Sequence, residues 1–339
     1  TRIVSGLADR ELAGLLGVSA DSSIEREYPQ ALLAVAPEFP GELGANVSSA
    51  VTALAQELKP TDFIGKANPV SREHHAWPIL EKVADAVEDL GEEVSIARLG
   101  ERNVAPSPDR KLVAQEIMRQ RRSPHVMDPE SRLPRDTFYR ILANTLPEQN
   151  SPLFALQPWQ AHVSVALYVH RVDDLSPGLY VLARTPEHEA SLRKAFADQP
   201  YEWKKPEACP EGLSLFLLKE GDYQQHEELT CGQDIVRDGV FGISMLADLK
   251  HALAEDGPSI YPRLYWEAGL VGHLFCIEGE AAGLHARGIG CFMDDATHEK
   301  ALGLKEQSWQ SLYHQTFGGG HFSTKLDFVE TYAHRKSES

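Results

Sequence analysis

Arg121-Arg122-Ser123, followed by Pro124 and His125, is the stretch of this 339-residue chain best suited to holding an anion. Arginine presents a rigid fork of donors that grips phosphate bidentately, and a serine hydroxyl adds a short donor without bulk. The run therefore fits a dianionic phosphate, although a solvated basic helix end has the same composition. A second stretch, Gly288-Ile289-Gly290, lies within the apolar segment Ala286–Phe292. Glycine inside a strand marks close approach by a ligand or by another backbone. A plain core strand remains the alternative.

The elements around these stretches can be read from periodicity. From Arg263 to about Ala282, Leu264, Ala268, Val271, Phe275 and Glu278 recur at three- and four-residue steps, which predicts a helix. Gly269, Gly272 and Gly279 each cost that helix roughly 1 kcal/mol relative to alanine, so another surface is expected to approach it closely. Gly283 suits a C-terminal cap, with Ala286–Phe292 as a strand after it. Lys111–Arg121 and Pro134–Thr145 read as helices, Val163–Val172 and Leu213–Lys219 as strands, and Gly242–Ala254 as a helix. Residues 186–212 are polar and read as a lid or an insertion. Leu312–Phe317 leads into Gly318-Gly319-Gly320.

Upstream, Asp9–Leu16, Asn46–Leu58 and Trp77–Leu90 are expected to be helical and Tyr28–Ala36 extended. Ile96–Asp109, with Gly100, Pro106 and Pro108 among charges, reads as a linker. Two regions are therefore expected, 1–105 and 106–339. Leu7–Val18 also echoes Met293–Leu304: each has a polar or acidic start and ends in Leu-Gly-apolar.

Several separated motifs then fall in a familiar order. They are Arg121-Arg122-Ser123, Gln157-Pro158-Trp159, the Arg171 to Gly178-Leu179-Tyr180 turn, Tyr265-Trp266-Glu267-Ala268-Gly269-Leu270, Gly283-Leu284, Gly288-Ile289-Gly290 and Asp294-Asp295. Together they resemble the nitroreductase family of FMN-dependent oxidoreductases, and most nearly its SagB-type dehydrogenase branch, over approximately residues 110–335. The resemblance implies an α+β fold: a central, mostly antiparallel sheet flanked by helices. It also implies a homodimer with FMN at the interface. By the same resemblance, Arg121, Arg122, Ser123 and Lys325, seven residues after Gly318, hold the flavin phosphate. Gly288, Ile289 and Gly290 let the backbone reach the ring, and Gln157 and His125 meet its polar edge. Residues 1–38 would be the remnant of a degenerate first copy of the domain. Gly65–Ser71 and His74–Trp77 resemble the junction that follows such a copy.

Departures from the family pattern matter too. His125 stands where the family often has Arg or Lys. Histidine titrates near neutrality, so a flavin potential under its control would vary with pH. Asn150-Ser151-Pro152 lies too far upstream to complete the usual stretch before Gln157. The SagB-type enzymes are associated with a Lys-Tyr base, and no adjacent Lys-Tyr occurs here. Tyr261 and Tyr265 are left as candidates for acid/base, stacking or simple packing roles, and no catalytic residue is assigned.

Composition narrows the classes. A formal net charge of −17 argues against a nucleic-acid surface of the usual basic kind. No apolar run approaches the roughly 20 residues of a membrane helix. Cys209, Cys231, Cys276 and Cys291 show no C-x-x-C pair, and the histidines form no H-x-x-x-H face, so no metal is expected. Cys276 and Cys291, in apolar segments, read as buried thiols. A reducing, cytoplasmic setting is therefore expected. Thr1 carries no signal-like segment and leaves the native N-terminus open.

The expected activity is two-electron oxidation of a small molecule or modified peptide by FMN. NAD(P)H-driven reduction of quinones or nitro-compounds is the alternative within the family. A flavin-free scaffold that binds a partner is the alternative outside it.

Overall fold

The computed structural model describes residues 2–4, 6–18, 27–35, 43–58, 63–65, 73, 75, 77–91, 113–148, 154–157, 159–221, 225–304, 308–327, 329 and 333. The chain divides into two compact units, one of residues 1–101, 148–161 and 251–265, the other of residues 102–147, 162–250 and 266–339. The expected linker at 96–109 and the 66–72 junction lie outside the described residues, as do Asn150-Ser151-Pro152 and Pro158.

The first unit opens with strand β1 (Arg2–Ile3), helix α1 (Asp9–Leu16) and strand β2 (Leu33–Ala34), followed by α2 (Leu43–Glu57) and α3 (Pro78–Ala86). Only two residues of the expected Tyr28–Ala36 strand pair, with Arg2 opposite Ala34 and Ile3 opposite Leu33. Gly17 ends α1 in the left-handed region (φ 69°), which spares a side chain the steric penalty there.

In the second unit, α4 (Ala114–Gln120), β3 (Val126–Asp128) and α5 (Arg135–Ala143) precede β4 (Val163–Val169) and β5 (Gly178–Leu182). Then come α6 (Pro186–Ala195), β6 (Leu215–Glu220), α7 (Gln225–Leu229), α8 (Asp234–Arg237) and β7 (Phe241–Asp248). Helix α9 (Leu249–Asp256) and the 22-residue α10 (Ile260–Ala281) follow in chain order, residues 251–265 of them belonging to the first unit. Strand β8 (His285–Ile289), α11 (Asp294–Ala296) with a wide turn at Thr297–Leu302, and β9 (Trp309–His321) complete the order.

The sheet has seven strands in the order β3-β9-β7-β4-β5-β6, with β8 also paired to β9, and every one of these ladders is antiparallel. Strands β4 and β7 are buried at every residue. Such a run lacks polar alternation, so periodicity alone does not separate it from a buried helix. That is why Gly242–Asp248, expected as the start of a helix, is a central strand, with the helix beginning only at Leu249. Gly242 is required for a different reason: a side chain there would collide with the His226 ring. Gly318, Gly319 and Gly320 lie inside β9 rather than after it.

In α10 the expected stripe is realised: Leu264, Ala268, Val271 and Phe275 are all buried. Gly272 and Gly279 lie on the chain's own sheet, where added Cβ atoms would sit 3.0 Å from Gln315 Nε2 and 3.3 Å from Phe317. Gly269 faces open space. Residues 186–212 contain α6, capped by Thr185 Oγ1 accepting from the His188 N–H (3.2 Å), and a segment packed on the core. Arg193 stacks over Trp203 at 4.3 Å, and Trp203 and Tyr201 lean on the cluster containing Phe196 and Trp309.

The earlier echo extends to topology: β1, α1 and β2 repeat the order of β8, the 294–302 helical turns and β9, each pair of strands antiparallel. Gly303 matches Gly17, with φ 64°.

The cysteine expectation is corrected. Cys291 is not a buried thiol: it is exposed and disulfide-bonded to exposed Cys231 (Cα–Cα 6.1 Å). Strand β8 ends at Ile289, before the apolar run does, which carries Cys291 to the surface. Cys209 and Cys276 are free thiols. The disulfide removes the cysteine argument for a reducing compartment. Among the described residues, no helix is long and apolar enough to cross a membrane, and no cluster of His, Cys, Asp or Glu could hold a metal.

Candidate functional site

Helix α4 stops at Gln120 because Arg121 turns out of it (φ −52°, ψ 131°) and Pro124 cannot continue it. The 121–125 loop is then fixed to the sheet at three points. The His125 N–H donates to the His321 carbonyl (2.8 Å). Arg287, on β8, donates through Nη1 to the carbonyls of Pro124 (2.8 Å) and His125 (3.3 Å). Gly320 lies so close beneath Pro124 that a Cβ on it would come 2.5 Å from the proline Cβ, so only glycine fits.

The three cationic residues nominated here, Arg121, Arg122 and Lys325, divide by what they touch. Arg122 donates through Nη1 to the carbonyls of Arg119 (2.8 Å) and Arg121 (2.9 Å), closing the end of α4. Arg121 is half-buried, and its guanidinium meets no acceptor among the described residues. Its charge reaches α10: burial and Arg121 together lower the His273 pKa, whereas burial raises the Cys276 thiol against the opposing pull of Arg121. Lys325 sits exposed in the turn after β9, its N–H donating to Ser323 Oγ (3.2 Å). The side chains of Ser123 and His125 are exposed.

No carboxylate among the described residues pairs with Arg121 or Arg287. Three other buried or half-buried arginines do have a carboxylate: Arg140 with Glu278 at 3.0 Å, Arg184 with Glu267 at 2.6 Å, and Arg263 with Asp89. In a chain of net charge −17, two half-buried guanidiniums without a counter-ion, on one loop and its supporting strand, form a site suited to an anion.

The Gly288-Ile289-Gly290 stretch is the end of β8, where Gly288 faces Gln315 and Ile289 faces His314. A side chain at 288 would collide with the Tyr313 hydroxyl, so close packing within the chain already accounts for that glycine. The Ile289 side chain is buried with Met127, Ile235 and Val236, leaving only its backbone for a ligand. Gly290 opens onto empty space. On the neighbouring strand, Gln315 donates to Cys276 Sγ at 3.6 Å while its buried Oε1 has no partner among the described residues. An unpaired buried carbonyl oxygen is costly, and a bound donor would relieve it.

Gln157 belongs to the other unit. It is buried, its Nε2 donating to the carbonyls of Trp159 (3.2 Å) and Gln160 (3.4 Å), while Oε1 has no partner among the described residues. In the same unit, the Tyr261 and Tyr265 hydroxyls lie 3.2 Å apart.

Three features carried no signal in the sequence. Arg287 looks like any strand residue until its contacts are seen. Glu267 was visible only as part of a motif, yet it is fully buried: its carboxylate accepts from Arg184 and from the backbone N–H groups of His162 (2.8 Å) and Val163 (3.2 Å). The two cysteines of the disulfide stand 60 residues apart.

The second unit is thus an α+β arrangement: a seven-stranded antiparallel sheet with helices, and a cationic loop held to a glycine-bearing strand. The nitroreductase family model matches residues 118–319, more than half of the chain, and the chain belongs to the nitroreductase family. It is similar in structure to a nitroreductase assigned from Anabaena variabilis (22% identity, TM-score 0.46), covering 61% of this chain and 38% of that one. It is similar too to the Escherichia coli microcin synthetase McbBCD complex with truncated pro-MccB17 bound (15% identity, TM-score 0.42, 76% and 84% covered). A third is the NADPH:FMN oxidoreductase of Vibrio harveyi complexed with NAD+ (12% identity, TM-score 0.38, 65% and 74% covered). The chain thus spans 38% of the length of the Anabaena protein. No curated protein matches it.

Proposed function

We propose that the protein is an FMN-dependent oxidoreductase whose flavin phosphate is held by the 121–125 loop. The observation that carries this reading is the half-buried Arg121 guanidinium, which has no carboxylate among the described residues, on the same loop as the exposed Ser123 and the carbonyls that Arg287 holds. Arg121 and Ser123 would grip the phosphate, with Lys325 adding charge from the turn after β9. Arg122, with Nη1 turned to the helix end, would act chiefly by holding the loop. Gly290 would let backbone lie against the ring, with His125 at its polar edge. FMN, when bound, supplies the two-electron chemistry, and the protein's task is binding and orientation.

The reaction we favour is two-electron oxidation of a small molecule or modified peptide. We also propose that the active form is a homodimer. Both readings rest on the sequence resemblance given above.

Visible absorption of the purified protein, before and after adding FMN, tests the cofactor. Protein-bound flavin bands, lost in the Arg121→Ala/Lys325→Ala double variant while the fold is retained, are the expected result. Folded protein that takes up no FMN overturns the reading.

A further inference from the structure

Residues 229–233 and 290–293 meet at the surface. Cys231 and Cys291 are both exposed and joined there, in the same unit as the two buried-to-half-buried cysteines that stay free. Cys231 holds a left-handed backbone (φ 60°), which a side chain adopts only at a cost, next to Gly232 at φ 67°. Cys291 directly follows Gly290, the one residue of the glycine stretch that faces open space.

Two further bonds tie the same segments together. The Met293 N–H donates to the Leu229 carbonyl (2.8 Å), and Gln233 Nε2 donates to the carbonyls of Thr230 (2.7 Å) and Cys291 (3.2 Å). Leu229 is itself buried. The sulfur–sulfur bond can therefore open without releasing the segments from the body of the protein, and a solvent-facing bond is open to thiolate attack.

We propose that Cys231–Cys291 is a reversible thiol–disulfide exchange site whose state sets the order of the backbone at Gly290. Its regulatory meaning rests on the flavin reading above. The co-reactant is an external dithiol. One of its thiolates attacks a protein sulfur, the Cys231–Cys291 bond breaks, and the second thiol resolves the mixed disulfide. The dithiol leaves oxidised as its own disulfide, and Cys231 and Cys291 each end as a thiol, two electrons and two protons having passed to the protein. Exposed Glu228, Asp234, Asp294 and Asp295 flank the two cysteines in sequence, so a neutral dithiol is favoured over an anionic thiol such as glutathione. In the oxidised form Gly290 is held on both sides, by β8 and by the disulfide. In the reduced form the hydrogen bonds of Gln233 and Met293 hold it alone.

The test uses the full chain. Air-oxidised protein, denatured without reductant, should show two titratable thiols of its four cysteines. Brief treatment of the native protein with dithiothreitol, then alkylation and peptide mass spectrometry, should label Cys231 and Cys291 ahead of Cys276. Hydrogen exchange across 288–293 should rise on reduction and fall again on reoxidation. FMN affinity, read by flavin fluorescence after the reductant is removed, should weaken about tenfold, the loss of one well-made hydrogen bond. Cys231→Ser/Cys291→Ser should match the reduced form in every readout.

Four thiols in the air-oxidised protein, or a disulfide opened only after unfolding in urea, would overturn the exchange site. Unchanged exchange at 288–293, or equal FMN affinity in the two states, would overturn its coupling to Gly290. If neither state binds FMN, the flavin reading fails, while thiol titration and hydrogen exchange still decide the switch.

Discussion

Arg184 and Arg121 carry the same charge in opposite settings. Arg184 is fully buried, and its donors go to Glu267 (2.6 Å) and to the carbonyls of Val163 (2.8 Å) and Thr145 (2.9 Å). Burial pulls its pKa down and Glu267 pulls it back up. Glu267, from α10, also accepts from the backbone where β4 begins, so one carboxylate joins helix, sheet and arginine. Arg121 is half-buried, faces α10 at His273 and Cys276, and has no carboxylate among the described residues. Where a charge serves the fold, the chain provides its partner. At the rim the partner is withheld, which leaves the charge available to a ligand.

The largest effect should come from breaking the compensated pair. Glu267→Ala leaves Arg184 buried and unpaired, a loss of about 3–5 kcal/mol. For a domain of this size that corresponds to a melting point lower by about 6–20 °C. A thermal melt within 2 °C or so of wild type, read by circular dichroism, would show that the pair does not anchor the fold. Arg121→Ala sharpens the contrast from the other side. Its melting point should barely change, since surface substitutions usually fall within about ±0.5 kcal/mol, yet FMN affinity should drop about tenfold or more. A large loss of stability with unchanged FMN affinity would make Arg121 a structural residue.

The buried His226 should reveal the cost of an uncompensated core titration. Its ring stacks on Tyr168 at 3.9 Å, and neither nitrogen has a hydrogen-bond partner among the described residues. Desolvation first, then the charges of His314 and His170, hold its pKa well below 6.5. In the window below pH 6.5 the unfolded chain therefore binds the proton that the folded chain refuses. Stability is complete above about pH 6.5 and is lost as the pH falls, by up to about 1.4 kcal/mol per unit. Melting points measured from pH 7 to 5 should fall less steeply in His226→Gln than in wild type. Parallel slopes would remove His226 as the cause.

The smallest effect is expected at Arg287. Arg287→Lys keeps the charge but loses the planar donor that meets two carbonyls, so FMN binding should weaken a few-fold with little change in melting. An effect as large as that of Arg121→Ala would promote Arg287 from a loop support to a direct phosphate ligand.

Much of this was legible in the sequence where one physical signal dominated. The buried stripe of α10 follows from helical spacing, and β4 and β6 follow from their apolar runs. β7 was not legible, because it runs from Asp248 straight into helix α9 at Leu249 with no turn residue to separate the two. The glycines were visible as close approaches, but not what approaches them: the sheet at Gly272 and Gly279, Tyr313 at Gly288, Pro124 at Gly320. At the candidate site, residue types sufficed to nominate Arg121 and Ser123. They could not show that Arg122 turns back to its own helix, or that Arg287 arrives from a strand more than 160 positions later.

Strand β9 has a consequence for how the chain is made. Its thirteen residues pair with β7, β8 and β3, so they join the middle of the sheet to both the glycine-bearing strand and the cationic loop. On the ribosome β4 through β7 emerge first, and β7 must wait with one ladder edge open until β9 is synthesised. At roughly 5–20 residues per second that wait lasts about 4–15 s. Through those seconds a strand that ends up fully buried is an unpaired edge, the feature on which nascent chains aggregate. Efficient production of this protein should therefore depend on a chaperone that shields residues 241–248 until the last strand arrives.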